Sequence, residues 1–284
     1  MKLRQLFYLS ILLVVIMACT LPSSLTPTSP TETSAPPAMI APTNTPIATG
    51  STVTLNNVTF TIPQGLAKDA LTEMVSAVTD PNGPTWGLAP AHSEFTLTSY
   101  QLQDKFHKPK LYVYPAQEYA ALSEGAAESI KRLETGLANP NTQWASDALP
   151  FIPFFNAAQV FAAQIQIIKF QNGSGVRFLT EYAQSFATVN NHELFYHFQG
   201  VTDDGKYYII VIMPITAPML AADEKPDSPV PSDGVPFPGF NDPNPDFMGY
   251  YNAITEKLNA TAPDSFAPNL STLDNLVKSI TITP

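Results

Sequence analysis

His192, Glu193 and His197 place two imidazoles and a carboxylate within six residues, the residue types of a zinc-protease site. That chemistry needs the histidines four apart on a helix, so that both face one metal. Here they are five apart in a stretch that reads as a strand, and an odd spacing sends them to opposite faces. The pair is therefore expected not to chelate: His197 reads as a hydrogen-bonded, half-buried residue and His192 as a loop-edge one. Gly173-Ser174-Gly175 lacks the spacing of a nucleophile elbow and lies between two strands, where it reads as a turn. Asp242, Asn244 and Asp246 imitate the first three ligands of a calcium loop, but Phe247 stands where the loop needs Gly and Ala253 where it needs Glu. Arg177 and Glu181 share a strand face and read as a surface pair. Cys19 is the one cysteine, which excludes internal disulfides and thiolate zinc sites. No catalytic residue, metal site or cofactor is assigned from these patterns.

The remaining chemistry is acidic. Residues 214–246 hold nine prolines and six acids, Asp223, Glu224, Asp227, Asp233, Asp242 and Asp246, against Lys225 alone. Proline-rich and long, this segment reads as an excursion on the surface, and its acids are the candidate binding residues. A rival reading is a cell-envelope hydrolase in which Asp203, Asp204 or Glu193 works with a distant carboxylate; turn-exposed Asp203 and Asp204 would argue against it.

The elements that must position these groups centre on Ala163–Ile215. Apolar residues alternate there between turn signals, predicting two successive β-hairpins turned at Asn172-Gly173 and Asp204-Gly205. A two-residue loop at Asp204-Gly205 sets Phe198 opposite Val211 and Tyr196 opposite Met213, with Leu194 and Ile209 on the same face. Phe195, His197, Val201, Tyr208, Ile210 and Ile212 then share the other. Both faces are apolar, so layers are expected above and below the sheet. Upstream, Val53–Ile62 predicts a hairpin with an Asn56-Asn57 turn, residues 66–80 suit helix or strand equally, and Glu94–Leu102 and Lys110–Tyr114 read as strands. Tyr119, Leu122, Ala126, Ile130, Leu133 and Leu137 predict one helix ended by Asn139-Pro140 and weakened at Gly125. Residues 140–162, rich in Phe and Pro, should fold back onto a core. An apolar run continues from Phe247 through Tyr250, Tyr251 and Ile254 to Leu258. Ser271 and Asp274 have capping-box spacing before a closing helix whose buried stripe is Leu273, Leu276, Val277 and Ile280. The expected class is α+β: a mainly antiparallel sheet with helices packed on its faces, an α/β/α sandwich.

Ahead of this domain, Lys2 and Arg4 precede an apolar run from Leu6 to Met17, the layout of an export signal over residues 1–18. The run is short of the roughly 20 residues that span a bilayer. Ile16-Met17-Ala18-Cys19 resembles the lipobox of bacterial lipoproteins, which implies that Cys19 is lipidated and becomes the N-terminus. Residues 20–50 hold 19 Pro, Ser or Thr among 31 and read, with Cys19, as a disordered tether over 19–50. Residues 51–284 are left as a single globular domain. The 284-residue chain carries net charge −10; without Lys2 and Arg4, 12 basic side chains face 24 acidic ones, a net of −12. That balance excludes nucleic acid as a partner.

The segments VTFTIPQGL, GKYYIIVIMP and LDNLVKSITI, in this order, resemble the Mog1/PsbP-like domains. The resemblance covers about a quarter of the folded part, and the 214–246 excursion departs from it. It implies an antiparallel sheet between helices, and a binding or accessory role without catalysis of its own. The expectation is a membrane-anchored, extracytoplasmic protein of the bacterial cell envelope, held by lipid at Cys19, that binds a protein or small molecule. A structural wall-associated protein is the third reading.

Overall fold

A computed structural model describes residues 50–284 except Pro81, Pro140, Asn141, Gln143, Ser146, Asp147, Pro226, Asp227 and Pro284. The export signal, Cys19, the linker to Thr49 and Asp227 lie outside the described residues. The centre is a seven-stranded sheet in the order β3 (Asp69–Val75), β4 (His92–Thr98), β5 (Lys110–Pro115), β11 (Tyr207–Pro214), β10 (Phe195–Thr202), β8 (Gly173–Thr180), β7 (Ala163–Phe170). Every strand pairing in it is antiparallel. The class is α+β, and the sequence 66–80, which suits either state, forms edge strand β3.

The β10–β11 hairpin has the register its alternation predicts, with Phe198 opposite Val211 and Tyr196 opposite Met213. Gly205 takes φ +69° at the turn, a conformation a side chain would strain. At the β7–β8 hairpin, Phe170 pairs with Gly173, so the turn residues are Gln171 and Asn172 and Gly173–Gly175 belongs to β8. The expectation of a turn at Gly173-Ser174-Gly175 is thereby corrected. Asn172 instead holds the C-terminal strand: its Nδ2 donates to the Ile282 carbonyl at 2.6 Å and its Oδ1 accepts from the Ile282 N–H. Gly175 sits opposite Gly200 because the Phe198 ring lies over both; a Cβ at Gly175 would come within 2.5 Å of that ring.

Two apolar layers cover the sheet, as alternation on both faces requires. On one face Phe178, Phe195, Tyr208, Ile210 and Ile212 pack against Tyr119, Ala126, Ile130 and Leu133 of α1 (Ala116–Leu122) and α2 (Glu124–Ala138). The single helix expected here is two. The chain is extended at Ser123, whose Oγ accepts from the Ala126 N–H and caps α2. Residues 149–155 fold back onto this face as expected, and the sheet's own polar residues hold them. Gln199 accepts from the Ile152 N–H and donates to the Pro150 carbonyl, while His197 Nε2 lies 3.1 Å from the Ile152 carbonyl. His197 is therefore fully buried, not half-buried.

On the other face Tyr196, Phe198, Ile209, Val211 and Met213 meet α3 (Phe247–Ala260), α4 (Leu270–Lys278) and a small sheet of β1 (Gly50–Leu55), β2 (Val58–Pro63) and β12 (Thr281–Ile282). The β1–β2 hairpin turns at Asn56, φ +52°, as the Asn-Asn signal predicts. Phe60 of β2 and Phe95 of β4 lock the two sheets edge to face at 5.2 Å. Arg177 and Glu181 do not form a surface pair. Arg177, 3% exposed, reaches Asp274 of α4 at 3.4 Å and donates to the Gln164 carbonyl and Gln166 Oε1. Asp274 also accepts from the Tyr196 hydroxyl at 3.0 Å. Its role is this buried pair and not a capping box; Asn269 caps α4, accepting from the Ser271 N–H. Burial raises the Asp274 carboxyl above its ordinary range, and the Arg177 charge and Tyr196 hydroxyl pull against that. Removing either partner would leave the other charge buried and uncompensated, so the pair ties α4 to the sheet. Among the described residues no helix is long and apolar enough to cross a membrane.

Candidate functional site

At one end of the large sheet the connection between β9 (Tyr182–Ala183) and β10 is built around Asn190. The buried Asn190 side chain accepts from the N–H groups of His192 and Glu193 through Oδ1, at 2.9 and 3.1 Å, which makes a tight turn that points both side chains the same way. Its neighbour Asn191 clamps this turn to the start of the acidic excursion. Asn191 Nδ2 donates to the carbonyls of Ala217 and Leu220, its Oδ1 accepts from the Ala217 N–H, and its own N–H donates to the Ala221 carbonyl. Glu224, three residues beyond Ala221, is thereby delivered to His192, with Oε2 3.7 Å from Nδ1.

His192, Glu193 and Glu224 bring one ligand-capable atom each to within 4.8 Å of one another, and among the described residues they are the group of histidine and carboxylate side chains that could hold a metal ion. Behind them lies Glu181, 1% exposed. Its Oε2 accepts from the Asn190 N–H at 3.1 Å, and its Oε1 is matched only if the carboxyl keeps a proton to share with Glu193. Burial holds the Glu181 carboxyl well above the usual carboxylate range; the Asn190 N–H opposes this, and the charge of Glu193, a hydrogen bond shared with it, and the charge of Glu224 add to it. His192 Nδ1 is likewise enclosed without a hydrogen-bond partner. On the far side, Phe106 donates its N–H to the His192 carbonyl, and burial, with His192 adding a smaller push, lowers His107 to about 4.

The same connection forms a second feature. The Ala187 and Val189 N–H groups donate to the hydroxyls of Tyr251 and Tyr250, both at 2.9 Å, and tie residues 187–189 to α3. Phe186 stacks on Phe247 at 4.4 Å. An open cleft of about 430 Å3 lies beside that stack, lined by Val160, Phe186, Phe240, Met248 and Tyr251 among others. Phe240 and Met248 stand 68% and 61% exposed at its rim. Exposed apolar side chains gathered around a concavity, unlike isolated ones, mark binding surfaces.

The acids singled out in the sequence have separate fates. Asp223 pairs with Lys225 at 2.6 Å, Asp242 accepts from the Asn244 N–H, and Asp233 offers its carbonyl to Lys257. Asp246 caps α3, accepting from the Gly249 N–H at 2.8 Å. The calcium-loop imitation thus dissolves into a turn and a helix cap. Of the described acids only Glu224 joins a cluster. Asp203 and Asp204 are exposed in the β10–β11 turn, where the Thr202 hydroxyl and Lys206 bring the Asp204 carboxyl down to about 2. Sequence reasoning missed Glu181 and Asn190 as site residues, and weighed His192 only against His197. The compact signal Asn-Asn-His-Glu, turn formers followed by two ligand types, is the one local trace of the site.

No family model, characterised protein or solved structure matches the chain.

Proposed function

We propose that this protein is a lipid-anchored, extracytoplasmic binding module whose contact surface is the aromatic cleft and the acidic excursion beside it. The anchor reading rests on the export-signal layout and on Cys19 at the end of Ile16-Met17-Ala18-Cys19. Two acyl chains suffice for stable membrane anchoring. The observation that carries the binding reading is the rim of Phe186, Phe240 and Met248 around an open cleft next to a stretch whose acids include Asp233, Asp242 and Asp246. Apolar anchors flanked by negative charge, on a chain of net charge −10, suit a partner segment with aromatic side chains between Lys or Arg residues.

Two measurements test the two halves. Cys19→Ser is expected to release the protein from membranes or leave its signal uncleaved; membrane retention with normal processing refutes the anchor. For the cleft, the full chain is titrated, in chelator, with a synthetic peptide of aromatic residues flanked by lysines and with its glutamate-flanked counterpart. Saturable binding of the first alone, weakened by salt and lost in a Phe240→Ser/Met248→Ser variant, is expected. Equal binding of both peptides, or no effect of the double substitution, overturns the reading.

A further inference from the structure

We infer that His192, Glu193 and Glu224 form a binding site for a borderline transition-metal dication of the Zn2+ class, backed by the buried carboxylate of Glu181. Exposed acids often gather without any ion, so clustering alone decides nothing. What distinguishes this group is the enclosed, unsatisfied hydrogen-bonding capacity that points into it. His192 Nδ1 is shut off from water without a hydrogen-bond partner, and Glu181, held by the Asn190 N–H, can satisfy its other oxygen only by keeping a proton and sharing it with Glu193. A buried polar atom left unmatched costs about 1–3 kcal/mol and calls for an explanation. A cation between the imidazole and the carboxylates of Glu193 and Glu224 supplies one: it satisfies the nitrogen lone pair and takes the place of the proton that Glu181 otherwise shares with Glu193.

The donor set selects the class of ion. Calcium and magnesium take oxygen ligands, whereas an imidazole with carboxylates suits zinc and its neighbours. Bonds of 2.0–2.2 Å bring the donors of a tetrahedral zinc site to about 3.3 Å from one another. The donors here, within 4.8 Å, need a further contraction that the half-exposed Glu224 can supply by rotating inward. Three protein donors leave a position open for water or a ligand atom. Because Glu224 lies on the excursion and His192 and Glu193 on the Asn190 turn, the ion also staples the base of the excursion to the end of the sheet.

The test uses the full chain freed of metal by chelator and titrated calorimetrically with ZnCl2, MnCl2 and CaCl2. One saturable equivalent of Zn2+ is expected, with Ca2+ much weaker. Glu224→Gln and His192→Gln should each weaken Zn2+ binding at least about tenfold, and Glu181→Gln, acting behind the donors, by about 10–100-fold. Glu224 is half exposed, so Glu224→Gln keeps the metal-free melting temperature and decides the matter even if another variant is unstable. Absence of saturable Zn2+ binding, Zn2+ affinity unchanged in Glu224→Gln, or Ca2+ bound as tightly as Zn2+ overturns the site. The peptide titration above is read in chelator, so either proposal can fail without the other.

Discussion

His197 illustrates how a single residue's role follows from its surroundings. Phe178 and Phe195 flank its ring, the Ile152 carbonyl accepts from Nε2, and His107 is the titratable group that faces it. Burial pushes it down to about 3; the Ile152 carbonyl opposes this and His107 adds to it. The sign of the pH effect follows. Between pH 6.5 and about 3 the unfolded chain binds a proton that the folded one refuses, so this residue's contribution to stability falls as the solution is acidified below 6.5. Stability measured by urea denaturation should show the gap between the parent and His197→Gln narrowing by about 2 kcal/mol from pH 7.5 to pH 5, at about 1.4 kcal/mol per pH unit. Taking the difference removes the other titrating groups. A gap constant with pH would mean that His197 protonates in the folded state.

At the scale of elements, caps and breaks decided what periodicity could not. The apolar positions from Tyr119 to Leu137 keep helical spacing through Ser123, yet the chain is extended there and restarts with the Ser123 side chain as cap. Three-and-four spacing reports a shared face and is blind to a one-residue interruption. Gly125, read as a weakness, lies in the first turn of α2, where the Phe154 ring occupies the space a Cβ would need. Asp246 shows the converse, a charge whose function is structural. Asp246→Ala should destabilise the protein by about 1 kcal/mol through the lost α3 cap while leaving Zn2+ binding intact. Denaturation and titration of the one variant check both statements, and a loss of Zn2+ affinity with unchanged stability would reverse the assignment.

For the whole molecule, the excursion is less detachable than its proline content suggests. The chain from Pro214 to Ala221 is still core, with Ile215, Ala217 and Ala221 buried, and Val235, Phe237 and Phe247 pack onto the layer that holds α3. Phe237 meets the Tyr250 ring edge to face at 5.2 Å. A loop that only crossed the surface could be shortened for about 1 kcal/mol or less. Replacing Ala221–Pro245 by a short Gly/Ser linker should instead cost about 2–3 kcal/mol, because two partly buried apolar side chains and their aromatic contacts go with it. Equilibrium denaturation measures this. A change below about 1 kcal/mol would return the segment to a surface crossing.

The β10–β11 register, the two apolar faces of the sheet, the β1–β2 turn and the folding-back of residues 149–155 were legible because each is local. With both faces apolar the alternation alone selects no register; the Asp204-Gly205 turn does, because turn type and loop length fix which residues of a hairpin pair. The candidate site left no trace but Asn190-Asn191-His192-Glu193. Glu181 lies between β8 and β9, Glu193 in a turn and Glu224 on the excursion; no period relates them, and the Asn190 and Asn191 hydrogen bonds bring them together. Arg177 met Asp274 for the same reason, 97 residues along the chain, where spacing alone had paired it with Glu181. Backbone periodicity sets which face a side chain occupies. Which partner lies across that face depends on how the layers close, and that is a property of the tertiary structure alone.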